Sequence, residues 1–347
     1  MRSLTASIFF LALFGGVVCV CAQEPNANET IRVDTRLVSI PVIVSDHNGR
    51  YVPNLNQADF TLLQDGSPQK IEFFGATEEP LTIALLIDTS QSTRPVLDDI
   101  KDSAKSFLKL LTPKDRAMIV SFDYDVHTLC PLTSDQDHLK KAVKSAEIPD
   151  GLFGTMLRDA AYQTVNRTFA GIQGRKAIII LTDGKDAGSR MTSRELLYSL
   201  QESDTLIYTI MFKTDDRVRQ NMNRRGDIFG GRFPGGGGFP GGRYPPMQRK
   251  RENPQHEERM KRANEEAAAF LQKLSEITAG RFYLSKDGKL KNTFASIVEE
   301  LRFQYRLGFY PPEETADRQL HELKVKVANA DSVVRSRGTY RIESKTK

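Results

Sequence analysis

The sequence predicts an α/β protein with a mostly parallel central sheet, helices on both faces of that sheet, and β segments at the two ends of the chain. Two largely apolar runs, 81–87 and 176–182, are typical of strands that are buried on both faces. Segments with helical spacing of apolar residues alternate with such runs from residue 80 to residue 302. Outside this range the pattern changes to short alternating stretches, which indicate antiparallel strands.

Residues 1–22 are predicted to be a secretory signal. Arg2 supplies the positive start, residues 4–20 form an uncharged and mostly apolar run, and Cys21-Ala22 precedes a cleavage site at Gln23. The run is short for a membrane span, although an uncleaved anchor is the alternative. No later segment is long and apolar enough to cross a bilayer. We therefore expect an exported protein, periplasmic or secreted, with no transmembrane segment after cleavage.

Removal of residues 1–22 would leave Cys130 as the single cysteine, so the mature chain could not form an internal disulfide. Cys130 lies in the apolar stretch 126–132, where a buried, unreactive thiol is expected. An exported fold without disulfides depends on its hydrophobic core and on any metal that it binds.

The N-terminal segment 24–78 has the pattern of a β structure. Apolar residues around Ile40 and 42–44 predict strands that end at a turn over 46–49. The stretch 59–64, the turn residues Asp65-Gly66 and the stretch 71–74 together predict a hairpin.

The segment 80–302 predicts alternating strands and helices. The strands are expected at 81–88, 117–122, 176–182, 205–212 and 281–284, and the helices at 94–111, 136–146, 155–169, 193–202, 257–279 and 290–301. This alternation favours a doubly wound sheet, in which ligands bind at the carboxyl ends of the strands.

The C-terminal segment 303–345 returns to a β pattern. Its clearest strand has Leu323, Val325 and Val327 on one side and two lysines on the other. Each terminal segment has about three strands, which is few for an independent domain. We therefore predict that 24–78 and 303–345 pair into one small β-sandwich, into which the α/β domain is inserted.

The segment 214–254 is rich in glycine, arginine and proline and is predicted to be a flexible loop. It holds nine Arg and Lys against four Asp and Glu, and this surplus accounts for the net charge of +5. The loop follows the strand 205–212 at its carboxyl end. Arg232 and Arg243 are therefore candidate partner contacts. A solvated insertion without a role, or a loop whose own aspartates reach the metal site, are the alternatives.

Oxygen-bearing side chains follow two of the buried strands. Asp88, Ser90 and Ser92 stand at alternate positions after the first strand, and Asp183 follows the strand 176–182. Thr155 closes a glycine-rich turn just before a predicted helix. Such hard ligands suit Mg²⁺, Mn²⁺ or Ca²⁺. A capped helix start and a simple strand-end turn are the alternative interpretation of the same residues.

The order and context of these motifs over residues 80–302 resemble the von Willebrand factor A (VWFA) family, and the whole chain resembles the exported VWFA-related proteins common in Acidobacteria. The resemblance implies a Rossmann-like fold and a metal-ion-dependent adhesion site. The implied ligands are Asp88, Ser90, Ser92, Thr155 and Asp183, with Mg²⁺ as the expected ion. An Asp or Glu of a protein partner would complete the coordination, with Gly154 and Gly184 beside it.

The sequence therefore predicts a non-enzymatic, metal-dependent adhesion module. The five histidines are scattered, and the mature chain contains no zinc-protease, nucleophile-elbow or C-x-x-C motif. Three alternatives stay open: a scaffold with a purely stabilising metal, a polyanion or nucleic-acid binder that uses the basic loop, and a Mg²⁺-dependent hydrolase. Export argues against nucleic acid as the partner. The oligomeric state is not predicted.

Overall fold

The computed structural model describes residues 37–75, 79–214, 254–285, 290–312 and 319–341. The predicted signal 1–22 lies outside the described residues, and so does nearly all of the glycine-rich segment 214–254.

The N-terminal segment contributes four short strands. They are β1 (Val38–Asp46), β2 (Phe60–Gln64), β3 (Ser67–Gln69) and β4 (Phe73–Gly75). The hairpin partner of β2 is β3, not the stretch 71–74 that the sequence pattern predicted. Asp65 and Gly66 both have positive φ and make a two-residue turn, which sets Ser67 directly opposite Gln64. The stretch predicted as the second hairpin strand instead crosses to another sheet as β4.

The central sheet has six strands in the order β10-β9-β8-β5-β6-β7. The strands are β5 (Leu81–Asp88), β6 (Arg116–Phe122), β7 (Val126–Thr133), β8 (Arg175–Thr182), β9 (Leu206–Phe212) and β10 (Phe282–Ser285). All neighbouring pairs are parallel except β6 and β7. The two middle strands, β5 and β8, are buried at every residue, as their unbroken apolar runs predicted.

Helices cover both faces of this sheet. They are α1 (Leu97–Leu108), α2 (Gln136–Ser145), α3 (Leu157–Gln163), α4 (Ser193–Gln201), α5 (Pro254–Ile277) and α6 (Lys291–Arg302). One hydrophobic cluster joins the sheet to α1, α2 and α6, and a second joins it to α3, α4 and α5. Because one core lies on each face, the sheet is the middle layer of three.

Two predicted helices are shorter than their sequence patterns. The first begins at Leu97 instead of residue 94, because a 3₁₀ turn, Gln91–Thr93, precedes it. The other begins at Leu157 instead of Thr155, because the backbone of Thr155 exchanges two hydrogen bonds with Ala187. In the first case the residues before the helix belong to the loop after Asp88. In the second case they are hydrogen-bonded to the loop after Asp183.

The C-terminal segment completes two four-stranded sheets together with the N-terminal strands. It contains β11 (Tyr305–Phe309), β12 (His321–Val327), β13 (Ser332–Ser336) and β14 (Thr339–Tyr340). The sheet orders are β13-β1-β11-β4 and β14-β12-β2-β3. Strands from both ends of the chain therefore pair in each sheet, and their apolar faces share one core. The predicted fold class is confirmed.

A buried polar cluster joins the last helix to one of these terminal sheets. Glu300 of α6 is fully buried and pairs with Arg281 at 2.7 Å and with Arg335 of β13. It also accepts hydrogen bonds from Tyr208 of β9 at 2.6 Å and from Tyr51 at 3.2 Å. Side chains from several elements therefore contact one buried carboxylate.

Candidate metal centre

The two predicted carboxylate ligands lie at the same edge of the central sheet. Strands β5 and β8 are parallel neighbours, with Ile87 opposite Leu181. Asp88 ends β5, and Asp183 directly follows β8. The exposed fraction is 0% for Asp88 and 1% for Asp183. Two buried carboxylates therefore lie at the carboxyl ends of adjacent strands. This is the edge at which open α/β sheets bind ligands.

Asp88 is held in place through both of its oxygens. Its Oδ1 accepts the backbone N–H of Ser90 at 2.9 Å, and its Oδ2 accepts the hydroxyl of Thr182 at 2.5 Å. The Thr182 hydroxyl in turn accepts the backbone N–H of Gly184 at 2.9 Å. This chain fixes the loop after β5 relative to the loop after β8. The orientation of Asp88 is thus set by the protein itself.

The two serines of the motif form a pair of adjacent oxygen donors. The Oγ atoms of Ser90 and Ser92 are 3.1 Å apart. Thr93 tightens the same turn, because its hydroxyl donates to the carbonyls of Asp88 at 3.0 Å and Ser90 at 2.8 Å. Two neighbouring ligands of an octahedral Mg²⁺ ion, each about 2.1 Å from the ion, are about 3 Å apart. The serine pair therefore fits adjacent positions around such an ion.

Thr155 is buried and is fixed from two sides. Its N–H donates to the carbonyl of Ala187 at 3.4 Å, and its own carbonyl accepts from Ala187 at 3.1 Å. The next N–H, of Met156, donates to the carbonyl of Asp123 at 2.8 Å. The glycine-rich turn is thus attached to the loops that leave β6 and β8, and it reaches the same edge of the sheet as Asp88 and Asp183.

The electrostatics of the site favour a cation. Burial, together with the smaller effect of the neighbouring charge of Asp183, raises the pKa of Asp88 to about 7. Asp183 is paired with Lys185, whose Nζ lies 3.1 Å from Oδ2, while the Lys185 backbone N–H lies 3.2 Å from Oδ1. Two buried carboxylates at one edge repel each other, so a dication bound between them would relieve that repulsion.

The donor set fits a hard divalent cation. In the described part of the chain, no three Asp, Glu, His or Cys side chains are grouped so as to hold a metal. The side chains at this edge that could hold a metal are two carboxylates, Asp88 and Asp183, and the hydroxyls of Ser90, Ser92 and Thr155. Oxygen-only donors of this kind suit Mg²⁺, Mn²⁺ or Ca²⁺.

A family model described as the von Willebrand factor type A domain matches residues 82–226. The match places a von Willebrand factor type A domain within these residues. The resemblance noted from the sequence is confirmed at this level. Domains of this family commonly bind proteins through a divalent metal at a metal-ion-dependent adhesion site. A search among curated proteins gave no match to the chain.

The chain also resembles several solved structures, all at low sequence identity. BatB from Bacteroides thetaiotaomicron is 16% identical with a TM-score of 0.43, over 64% of this chain and 98% of that one. A von Willebrand factor type A protein from Catenulispora acidiphila is 12% identical with a TM-score of 0.44, over 82% and 72%. Proximal thread matrix protein 1 from the mussel byssus, with zinc in its adhesion site, is 16% identical with a TM-score of 0.45, over 67% and 48%.

The predicted partner contacts of the von Willebrand A domain occupy different environments. Gly154 is half-buried, and Gly184 is fully covered. A Cβ on Gly184 would meet side-chain atoms of Ala267 and Leu271 at 3.0 Å, and φ at this residue is +82°. Gly184 therefore packs the loop against α5. Arg232 and Arg243 lie outside the described residues, and the contribution of all four to partner binding stays a prediction.

Sequence reasoning missed three residues around the site. Thr182 orients Asp88, Lys185 pairs with Asp183, and Asp123 accepts the hydroxyl of Thr89 at 2.8 Å. Asp123 could have been found from the sequence, because it stands at the carboxyl end of a buried strand, as Asp88 and Asp183 do. Nothing in the local sequence shows that Thr182 turns its hydroxyl towards a neighbouring strand. That contact depends on the order of the strands in the sheet, which cannot be predicted from local sequence patterns.

Among the described residues, no helix combines the length and the apolar character needed to cross a membrane.

Proposed function

We propose that this protein is an exported, non-enzymatic binding module that recognises an acidic group of a protein partner through one divalent cation. The cation, most favourably Mg²⁺, would be held by Asp88, Ser90, Ser92, Thr155 and Asp183. The observation that carries the proposal is the convergence of two buried carboxylates at the carboxyl edge of β5 and β8, with a hydroxyl pair at 3.1 Å beside them.

The charge of this donor set favours binding over a merely stabilising role. The set contains two carboxylates, of which Asp183 already shares its charge with Lys185, and its other three donors are neutral hydroxyls. The positive charge of a dication held this way is only partly neutralised. Some of its coordination positions also stay open for exchangeable ligands. The carboxylate of a partner's Asp or Glu has the charge and the hard oxygen that such a position accepts.

Calorimetric titration of Mg²⁺, Mn²⁺ and Ca²⁺ into the purified protein tests the proposal. We expect saturable binding near one equivalent for the wild type and none for Asp88→Ala or Asp183→Ala. Asp135→Ala is the matched control, because this exposed aspartate caps α2 at a distance from the site. Absence of binding to the folded wild type, or equal binding by all the variants, would contradict the proposal.

A second measurement separates partner binding from stabilisation. If the metal serves only to hold the fold together, it raises the melting temperature, while capture of acidic peptides is the same with and without it. The proposed function instead requires that capture of acidic peptides be lost when the metal is removed with a chelator.

A further inference from the structure

Large apolar side chains stand exposed beside the proposed metal centre. Phe153 is 81% exposed, Leu152 is 44% exposed and Tyr124 is 37% exposed. We call these three residues the apolar rim. Phe153 has the highest exposed fraction among the large hydrophobic residues of the described chain. Isolated exposed apolar residues are ordinary on protein surfaces, but a cluster at a binding edge indicates a contact surface.

The members of the apolar rim come from two loops that pack against each other. A Cβ on Gly154, next to Phe153, would lie 3.0 Å from Cα of Tyr124. The turn that carries Leu152 and Phe153 is therefore packed against the loop that follows β6. Tyr124 in turn has an edge contact with the ring of His127, at 5.9 Å between centroids. The backbone that carries the rim is therefore held by packing, although the rim side chains are exposed to solvent.

The rim also adjoins the metal ligands. Phe153 is two residues from Thr155, so their Cα atoms are at most about 7 Å apart. Thr155 itself is tied to the loop after Asp183 by its two hydrogen bonds with Ala187. A partner that brought a carboxylate to the metal would thus pass over or beside Phe153. Burial of an exposed phenyl ring is among the larger single gains that an interface offers.

We infer that the partner of this site is a protein segment that carries an Asp or Glu within three residues of a large apolar side chain. The carboxylate contacts the metal, and the apolar side chain packs on Phe153 and Leu152, with Tyr124 at the side. This inference rests on the proposed function and specifies its partner. The adjoining charges are mixed, since exposed Asp150 lies 3.7 Å from Arg94, so the rim selects by apolar contact more than by charge.

Selection from a library of random twelve-residue peptides displayed on phage tests the inference. The full chain is immobilised, the library is bound in Mg²⁺ or Mn²⁺, and bound phage are released with a chelator. Parallel selections use Phe153→Ser and the matched control Tyr310→Ser, which removes a half-exposed aromatic side chain directly after β11 of a terminal sheet. Both positions are exposed, so neither change should disturb folding.

The wild type and Tyr310→Ser should enrich peptides with Asp or Glu close to Leu, Ile, Phe, Tyr or Trp. Phe153→Ser should keep the acidic residue and lose the apolar preference. For one enriched peptide, Phe153→Ser should weaken binding about tenfold or more, as loss of a buried phenyl contact implies, while the affinity for Mn²⁺ alone is unchanged.

The outcomes separate this inference from the function on which it rests. Acidic peptides without an apolar neighbour, or equal peptide affinity for the wild type and Phe153→Ser, would overturn the inference and leave the proposed function intact. A change in oligomeric state on Phe153→Ser, without a change in peptide binding, would assign the rim to self-association instead. Absence of any acidic enrichment would contradict both proposals.

Discussion

Asp88 has the least favourable environment of the proposed ligands, since it is fully buried and faces a second carboxylate. Its pKa is raised to about 7 from an ordinary value of 3.8, so between about pH 4 and pH 7 the folded chain holds a proton that the unfolded chain has already released. The free energy of unfolding of the metal-free protein should therefore fall as the pH rises from about 4 to about 7. A bound dication would remove this loss of stability, because it favours the charged form of Asp88.

The corresponding variant is Asp88→Asn. In chelator at pH 8, it should be more stable than the wild type by roughly 1–3 kcal/mol, because it removes the buried charge. At pH 5 the difference should shrink. In Mg²⁺ at pH 8 the wild type should gain stability and the variant should not. Urea denaturation at the two pH values measures this, and a variant less stable than the wild type in chelator at pH 8 would show the account of Asp88 to be wrong.

Lys185 places a positive charge next to the proposed metal ligand Asp183. Its ammonium lies 3.1 Å from Asp183, and its side chain is 26% exposed, so it opposes a dication with only partial screening by water. Lys185→Met should raise the affinity for Mn²⁺ by about three- to thirtyfold, as a modest electrostatic gain implies. Lys213→Met, an exposed lysine close in sequence to Thr214, is the control and should have no comparable effect. Calorimetry that gave unchanged or weaker binding for Lys185→Met would contradict this.

At the scale of single elements, the loop after β8 depends on close packing against α5. Gly184→Ala would introduce both a strained φ of +82° and a contact at 3.0 Å with Ala267 and Leu271. We expect it to lower the free energy of unfolding by about 2–4 kcal/mol, because backbone strain and overpacking add. Gly171→Ala has a similar φ of +77° and no atom within 4 Å, so it should lose only about 1 kcal/mol. Equal losses in urea denaturation would show that the contact with α5 contributes nothing.

The elements also show what local sequence can predict. Strands β5 and β8 were recognisable because strands buried on both faces need unbroken apolar runs. Strand β7 was not assigned, because it is an antiparallel edge strand with mixed exposure and register shifts against β6. The start of α3 was misplaced, because Thr155 has a helix-compatible sequence context but bonds to Ala187. Long-range contacts of this kind overrule local preference.

At the scale of the whole molecule, Glu300 connects the α/β layer to the terminal sheets. Glu300→Ala would leave Arg281, Arg335 and the Tyr208 hydroxyl without their shared partner. The expected loss is about 2–4 kcal/mol in the free energy of unfolding, because the buried Tyr208 hydroxyl and two partly exposed guanidinium groups would lose their shared partner. Metal affinity should not change, since these residues lie away from the metal edge. Glu299→Ala, its exposed neighbour, should be within about 0.5 kcal/mol of the wild type.

The pairing of the two ends of the chain was predictable at this scale, whereas the details of the metal centre were not. Two β segments, each too short to fold alone, implied a shared sandwich. The motif Asp88-x-Ser90-x-Ser92 and Asp183 marked the edge of the sheet at which the metal site is proposed. The residues that orient and oppose the ligands, Thr182 and Lys185, became apparent only once β5 and β8 were known to be neighbours. Their roles follow from strand order.

The most direct test of the central claim is the position of a bound ion. Crystals of the protein soaked in Mn²⁺ would show it by anomalous scattering. The account predicts one strong peak between Asp88 and Asp183, with the Oγ atoms of Ser90 and Ser92 about 2.1–2.2 Å away, as expected for a hard octahedral ion. Absence of a peak there in a well-ordered crystal, or a peak only at another acidic cluster, would contradict a metal-dependent binding function for this edge of the sheet.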